Sequence, residues 1–111
     1  MEKIFALTLF AFFSLQIVAY AESFGPKHAK VAKFFQSNQE PVAKDAIWTA
    51  KDIFKVGVID DGSRRDGYAQ YICEVLYEEG FNGHKVWVQV IDIVKLTRNG
   101  SWVKLGEAHC Q

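Results

Sequence analysis

The sequence predicts an α+β domain in which two amphipathic helices pack on one face of a three- to four-stranded, at least partly antiparallel sheet, held by one disulfide. Three observations carry this expectation. Apolar residues recur at helical spacing after Pro26 and again after Ser63. β-Branched and aromatic residues concentrate at Ile53–Ile59 and Lys85–Leu96, as strands require. The only two cysteines, Cys73 and Cys110, form an even pair. Elements of these kinds bury their apolar faces by layering helices on a sheet.

Residues 1–21 read as a bacterial-type secretory signal peptide. Lys3 opens the chain, an apolar run extends from Ile4 through Phe13 to Val18, and Ala19-Tyr20-Ala21 supplies small residues on both sides of Tyr20. Cleavage is expected after Ala21, which leaves a single small domain at 22–111. The apolar run is shorter than the roughly 20 residues a membrane span needs, and Gln16 interrupts it, so no stable membrane anchor is expected after cleavage. The mature chain is accordingly expected in the periplasm or outside the cell. An oxidising compartment favours a Cys73–Cys110 bond, and a domain this small benefits from one.

Pro26 to Ser37 reads as the first helix, with Val31, Phe34 and Phe35 on one face and Lys30, Lys33 and Ser37 opposite. In Val42 to Lys51, Ala43, Ala46, Ile47 and Ala50 fall at helical spacing, although Ile47-Trp48-Thr49 also suits a strand; the balance favours helix. Ile53 to Ile59 reads as a strand covered on both faces. Gly57 weakens it unless something packs closely there. Ser63 to Asp66 has capping-box spacing and predicts the start of a second helix, which Gly80 stops. Along that helix Tyr68, Ala69, Ile72, Val75 and Leu76 gather on one side, with Cys73 at the edge of the apolar face.

Lys85 to Leu96 reads as the strongest strand. Asn99-Gly100 then suits a two-residue hairpin leading into a strand from Ser101 to about Glu107. That register sets Val94 and Leu96 beside Val103 and Leu105, with Lys95, Thr97, Trp102 and Lys104 on the other face. It also puts Asp92 on the apolar face, which calls for a bulge or the end of the sheet. A parallel pairing of the first two strands across the long helix is the alternative topology.

Two groups of residues are candidates for function. Asp60, Asp61, Arg64 and Arg65 lie in the polar loop before the second helix, where a helix N-terminus and arginines can hold an anion. A turn and a capping box explain the same residues without a ligand. Trp87 and Trp102 are the second group, an aromatic surface flanked by lysines if nothing covers it. His28, His84 and His109 have no metal-ligand spacing, so no metal is expected, and no cofactor motif or catalytic triad is present.

The chain carries 13 basic and 13 acidic residues, and loss of Glu2 and Lys3 with the signal peptide keeps that balance. With no basic stripe, nucleic-acid binding is not expected. The leading expectation is a binding module, such as an inhibitor or immunity-like protein, whose partner is another exported protein or a small ligand. The alternatives are an accessory component of a cell-envelope assembly, or a small enzyme with its site at Asp60 to Asp66.

Overall fold

The computed structural model describes residues 24–111; the signal-peptide reading lies outside the described residues. Helix α1 (Pro26–Gln36) is followed by strands β1 (Asp45–Ala50) and β2 (Ile53–Val58), helix α2 (Asp66–Leu76), strand β3 (Val86–Asp92), helix α3 (Ile93–Asn99) and strand β4 (Lys104–Cys110). A wide turn, Tyr77–Phe81, extends α2 and closes at Gly80, whose φ of 96° is the left-handed conformation expected of a helix stop. The sheet order is β1-β2-β3-β4. β2 and β3 are parallel, with α2 as the crossover between them, and the two outer pairs are antiparallel. Three helices packed on a four-stranded mixed sheet make this an α+β fold.

The parallel pair explains why Ile53–Val58 and Val86–Asp92 are so apolar, since central parallel strands are covered on both faces. Phe54 pairs with Val88 and Val56 with Val90, and all four are fully buried. Above them sit Val31 and Phe35 of α1 and Ala69, Ile72 and Leu76 of α2, also fully buried. Aromatic rings continue this layer across β1: the Trp48 ring lies 4.5 Å from Phe54 and 5.3 Å from Phe81. Burying one such large side chain contributes about 1.5–3 kcal/mol.

Three local expectations are corrected. Val42 to Lys51 holds a strand, not a helix. Ala46 and Trp48 are buried while Asp45, Ile47 and Thr49 are exposed, a two-residue period, and Gln36 of α1 donates to the Ala46 carbonyl at 2.9 Å. The Lys85–Leu96 strand ends at Asp92, whose carboxylate accepts from the N–H groups of Val94 and Lys95 at 3.0 and 3.1 Å and so starts α3. Asn99-Gly100 is the end of that helix, Gly100 standing at φ 70° as its left-handed cap, and no hairpin forms there. The proposed partners of Val94 and Leu96 are lost with it: β3 pairs instead from Val86 with Cys110 to Ile91 with Lys104. The third correction concerns the capping box. α2 begins at Asp66 without a side-chain cap, and the Ser63 hydroxyl donates to Asp61 instead. The close neighbour expected over Gly57 is Ile93 of α3, whose Cδ1 would lie 2.8 Å from an added Cβ.

α2 is fastened to β4 along its length. At its start, Arg65 N–H donates to the Leu105 carbonyl at 3.1 Å and Glu107 N–H donates to Asp66 Oδ1 at 3.0 Å. Between these bonds the backbones nearly touch, so that a Cβ on Gly106 would lie 2.3 Å from the carbonyl carbon of Arg65. Midway, the Cys73–Cys110 disulfide joins Cα atoms 5.4 Å apart across a separation of 37 residues. Just past its end, Gln111 N–H donates to the Tyr77 hydroxyl at 3.0 Å.

Three outcomes are expected of α2 and its seam with β4. Gly106→Ala should cost about 3 kcal/mol or more in urea unfolding, because neither backbone can move aside. Gly67→Ala, in α2 with open space around it, should be neutral or stabilising by up to about 1 kcal/mol. Reducing the disulfide should lower the unfolding free energy by about 4 kcal/mol, the chain-entropy value for a loop of this length, and a melting temperature indifferent to reductant would contradict it.

Candidate functional site

The loop from Asp60 to Asp66 spends its polar groups on itself. Asp60 accepts from Gly62 N–H at 2.9 Å, and Asp61 accepts from both the N–H and the hydroxyl of Ser63. Arg64 grips Asp66 Oδ2 through Nε and Nη2, at 3.1 and 2.6 Å. Arg65 donates through Nη2 to the Ile59 carbonyl at 2.9 Å and lies 3.4 Å from Asp61, while its buried Nε has no partner among the described residues. Asp61 and Asp66 thus stand as paired carboxylates beside the start of α2, which has no side-chain cap. Asp60, Asp61, Arg64 and Arg65 are brought together, but as a braced turn holding α2 over β4.

That bracing is readable in titration. The Arg64 guanidinium and then the Glu107 N–H hold the Asp66 carboxyl below its ordinary value, and hydrogen bonds from Ser63 do the same for Asp61. A carboxyl depressed in the folded state stabilises the fold above the unfolded-state pKa, and that contribution is lost as pH falls through the folded one. Asp66→Asn should therefore flatten the fall of melting temperature with pH below about pH 4, while still accepting from Glu107. An acid limb unchanged in the variant would show that Asp66 does not carry this coupling.

The two tryptophans share the outer face of the sheet, opposite α1 and α2. Trp87 pairs with Ile53 across the parallel ladder, and Lys55, two residues further along β2, lies on the same face. They differ in exposure. Trp87 is half-buried: it stacks on His109 at 5.4 Å and donates to Glu107 at 2.8 Å, and Lys104 stands 5.3 Å over its ring. Trp102 is 49% exposed, and the Lys55 ammonium sits 4.4 Å from its ring centroid. A cation over an indole orients the ring without covering its outer side. Trp48 does not cover this face: it is turned into the core and donates its indole N–H to the His28 carbonyl at 2.9 Å.

Trp102 also borders a groove of about 770 Å³ that runs along β1, the open edge of the sheet. One wall is α1, through Ala29, Ala32 and Lys33; the other is formed by Ile47, Leu96 and Trp102; Phe24 stands at one end. Phe24, Ile47 and Trp102 are among the few large apolar side chains left exposed. Apolar walls and this volume are ordinary for a binding cleft. Sequence reading misses Ile47 and Leu96 because it takes β1 for a helix and α3 for a strand, and with that edge of the sheet misplaced nothing in the sequence marks Phe24, Ala29 and Ala32 as its neighbours. The exposed Ile47 within an alternating segment was the available signal.

A second arrangement is internal. Glu40, nearly buried in the loop before β1, accepts from the hydroxyls of Tyr68 and Tyr71, each at 3.0 Å. Burial, followed by the Glu40 bond, pushes the Tyr68 phenol well above its ordinary value, so it stays a donor to the carboxylate. This pins the α1–β1 connection onto α2. His28 is likewise occupied, its Nε2–H donating to the Lys51 carbonyl at 2.9 Å with its ring edge-on to Trp48 and Phe81. Among the described residues no group of three or more metal-ligating side chains converges, and no helix is long and apolar enough to cross a membrane. Neither a protein-family model, nor a curated protein, nor a solved structure matches the chain.

Proposed function

We propose that the protein is an exported, disulfide-stapled binding module, of the inhibitor or immunity-like kind, that engages another exported protein around Trp102. The observation that carries this reading is an indole 49% exposed at the rim of an apolar groove, oriented by Lys55. Tryptophan set in an apolar surround is the side chain most often found to dominate a protein interface. The disulfide supports export, since such bonds persist in oxidising compartments. On this reading the mature chain begins at Glu22 and works in the periplasm or outside the cell. The Asp60–Asp66 loop contributes rigidity, and contact with the partner falls to the opposite side of the sheet edge.

The test is a quantitative pull-down from envelope extract with the native protein and with Trp102→Ala. A stoichiometric partner should be recovered and its affinity should fall at least about 30-fold in the variant, the loss expected of an interface hot spot. Trp102→Ala is preferred to a Trp87 variant because Trp87 is tied into Glu107 and His109, and its loss would disturb the sheet. The intact mass of the exported protein should correspond to a chain starting at Glu22. A partner retained undiminished by Trp102→Ala, or an exported chain still carrying residues 1–21, would overturn the corresponding part of the reading.

A further inference from the structure

The two edges of the sheet are treated differently. The outer edge of β4 is engaged at its start, where Arg65 N–H bonds the Leu105 carbonyl and Asp66 accepts from Glu107 N–H. On β1, only Ala46 is engaged: its N–H donates to Asp45 Oδ1 at 2.8 Å and its carbonyl accepts from Gln36 at 2.9 Å. Alternate residues of an antiparallel strand turn their backbone groups to the same side. Trp48 therefore presents its N–H and carbonyl to the same open edge as Ala46, and no strand among the described residues pairs there. This backbone is the floor of the groove.

The chemistry that recognises an unpaired strand edge is the backbone of another strand. The geometry points to an extended segment of the partner protein, added beside β1 as a fifth strand, as the occupant of the groove. This rests on the binding-module reading above. Side chains of an added strand alternate between its two faces. One set would enter against Ala29 and Ala32, whose single methyl groups leave room for larger residues, and the other would meet Ile47, Leu96 and Trp102. The segment is thus apolar at successive positions on both faces, and Lys33 at the rim favours an acidic residue within it.

A second copy of the chain is a poorer fit. Gln36 of α1 reaches the outward carbonyl of Ala46, so α1 overhangs the β1 edge. Two copies paired β1 to β1 about a two-fold axis would bring their α1 helices within about one strand spacing, roughly 5 Å, of each other. Packed helices need about 8–10 Å. A lone extended segment brings no helix with it.

The test uses the full protein and synthetic peptides of about 12 residues, taken from the best binders in a displayed random library. Backbone N-methylation at every second peptide residue should weaken binding at least about tenfold, with little effect at the intervening positions, because alternate amides face β1. Exchange of the Trp48 amide hydrogen should slow at least about tenfold in the complex. Ala32→Trp, which fills the groove, should lower affinity by a similar factor. Sensitivity to N-methylation without a two-residue period, an unprotected Trp48 amide, or no enriched peptide would each overturn strand addition. Binding lost in Trp102→Ala without protection at Trp48 would overturn strand addition alone and leave the binding-module reading standing. Protection of Trp48 with binding indifferent to Trp102→Ala would retain strand addition and remove Trp102 from its centre.

Discussion

The seam between α2 and β4 is the constraint on which the rest of the molecule depends. A parallel β2–β3 pair requires the chain to leave the sheet, cross it and return, and the crossing helix must be held down before the return strand has value. Here the helix is held by the far strand as well as by the core beneath it. The backbone approach at Gly106, the Asp66 bond to Glu107, the Cys73–Cys110 bond and the Tyr77 bond to Gln111 lie in order along one line. Because Cys73 faces the sheet at the middle of this line, the disulfide is buried with the core instead of hanging at its margin.

The same seam shows what the hydrogen bonds of the most polar loop of the chain hold in place. Asp60, Asp61, Ser63, Arg64 and Asp66 neutralise and cap one another in a turn whose task is to set Arg65 and Asp66 against β4. The carboxylates there are kept ionised by donors that the fold itself supplies. Apart from the buried Arg65 Nε, little in that loop is unpaired, and across the sheet, at β1, an apolar groove meets an exposed indole and a partly unpaired backbone. Polar density in a sequence measures how much hydrogen bonding a segment needs, not whether any is left for a ligand.

Much of the architecture was legible in the sequence, and the failures have identifiable causes. Pro26 and Gly80 marked helix limits through their fixed and permissive backbones, and Cys73 with Cys110 gave the bond. β1 reads as a helix because Ala43, Ala46 and Ala50 stand three and four residues apart, the spacing of one helix face. α3 was hidden because Ile93 and Val94 continue the β-branched run of β3. Its only markers are a buried Asp92 at one end and Gly100 at the other, and Asn-Gly serves a helix end as readily as a hairpin. Of the candidate residues, Trp102 was placed on the outer face for an incorrect register, yet lies there because α3 returns the chain over that side.

Asymmetry between the sheet edges bears on how the sheet could grow. Edge strands are the usual route by which β proteins polymerise, each copy templating the next. Here the outer edge of β4 is engaged at Leu105 and Glu107 by the residues that start its own crossover helix, whereas Trp48 on β1 faces an open edge beside α1. On the strand-addition proposal, a segment docked at β1 would find on β4 an edge already engaged at Leu105 and Glu107, which disfavours the edge-to-edge growth that builds a fibre.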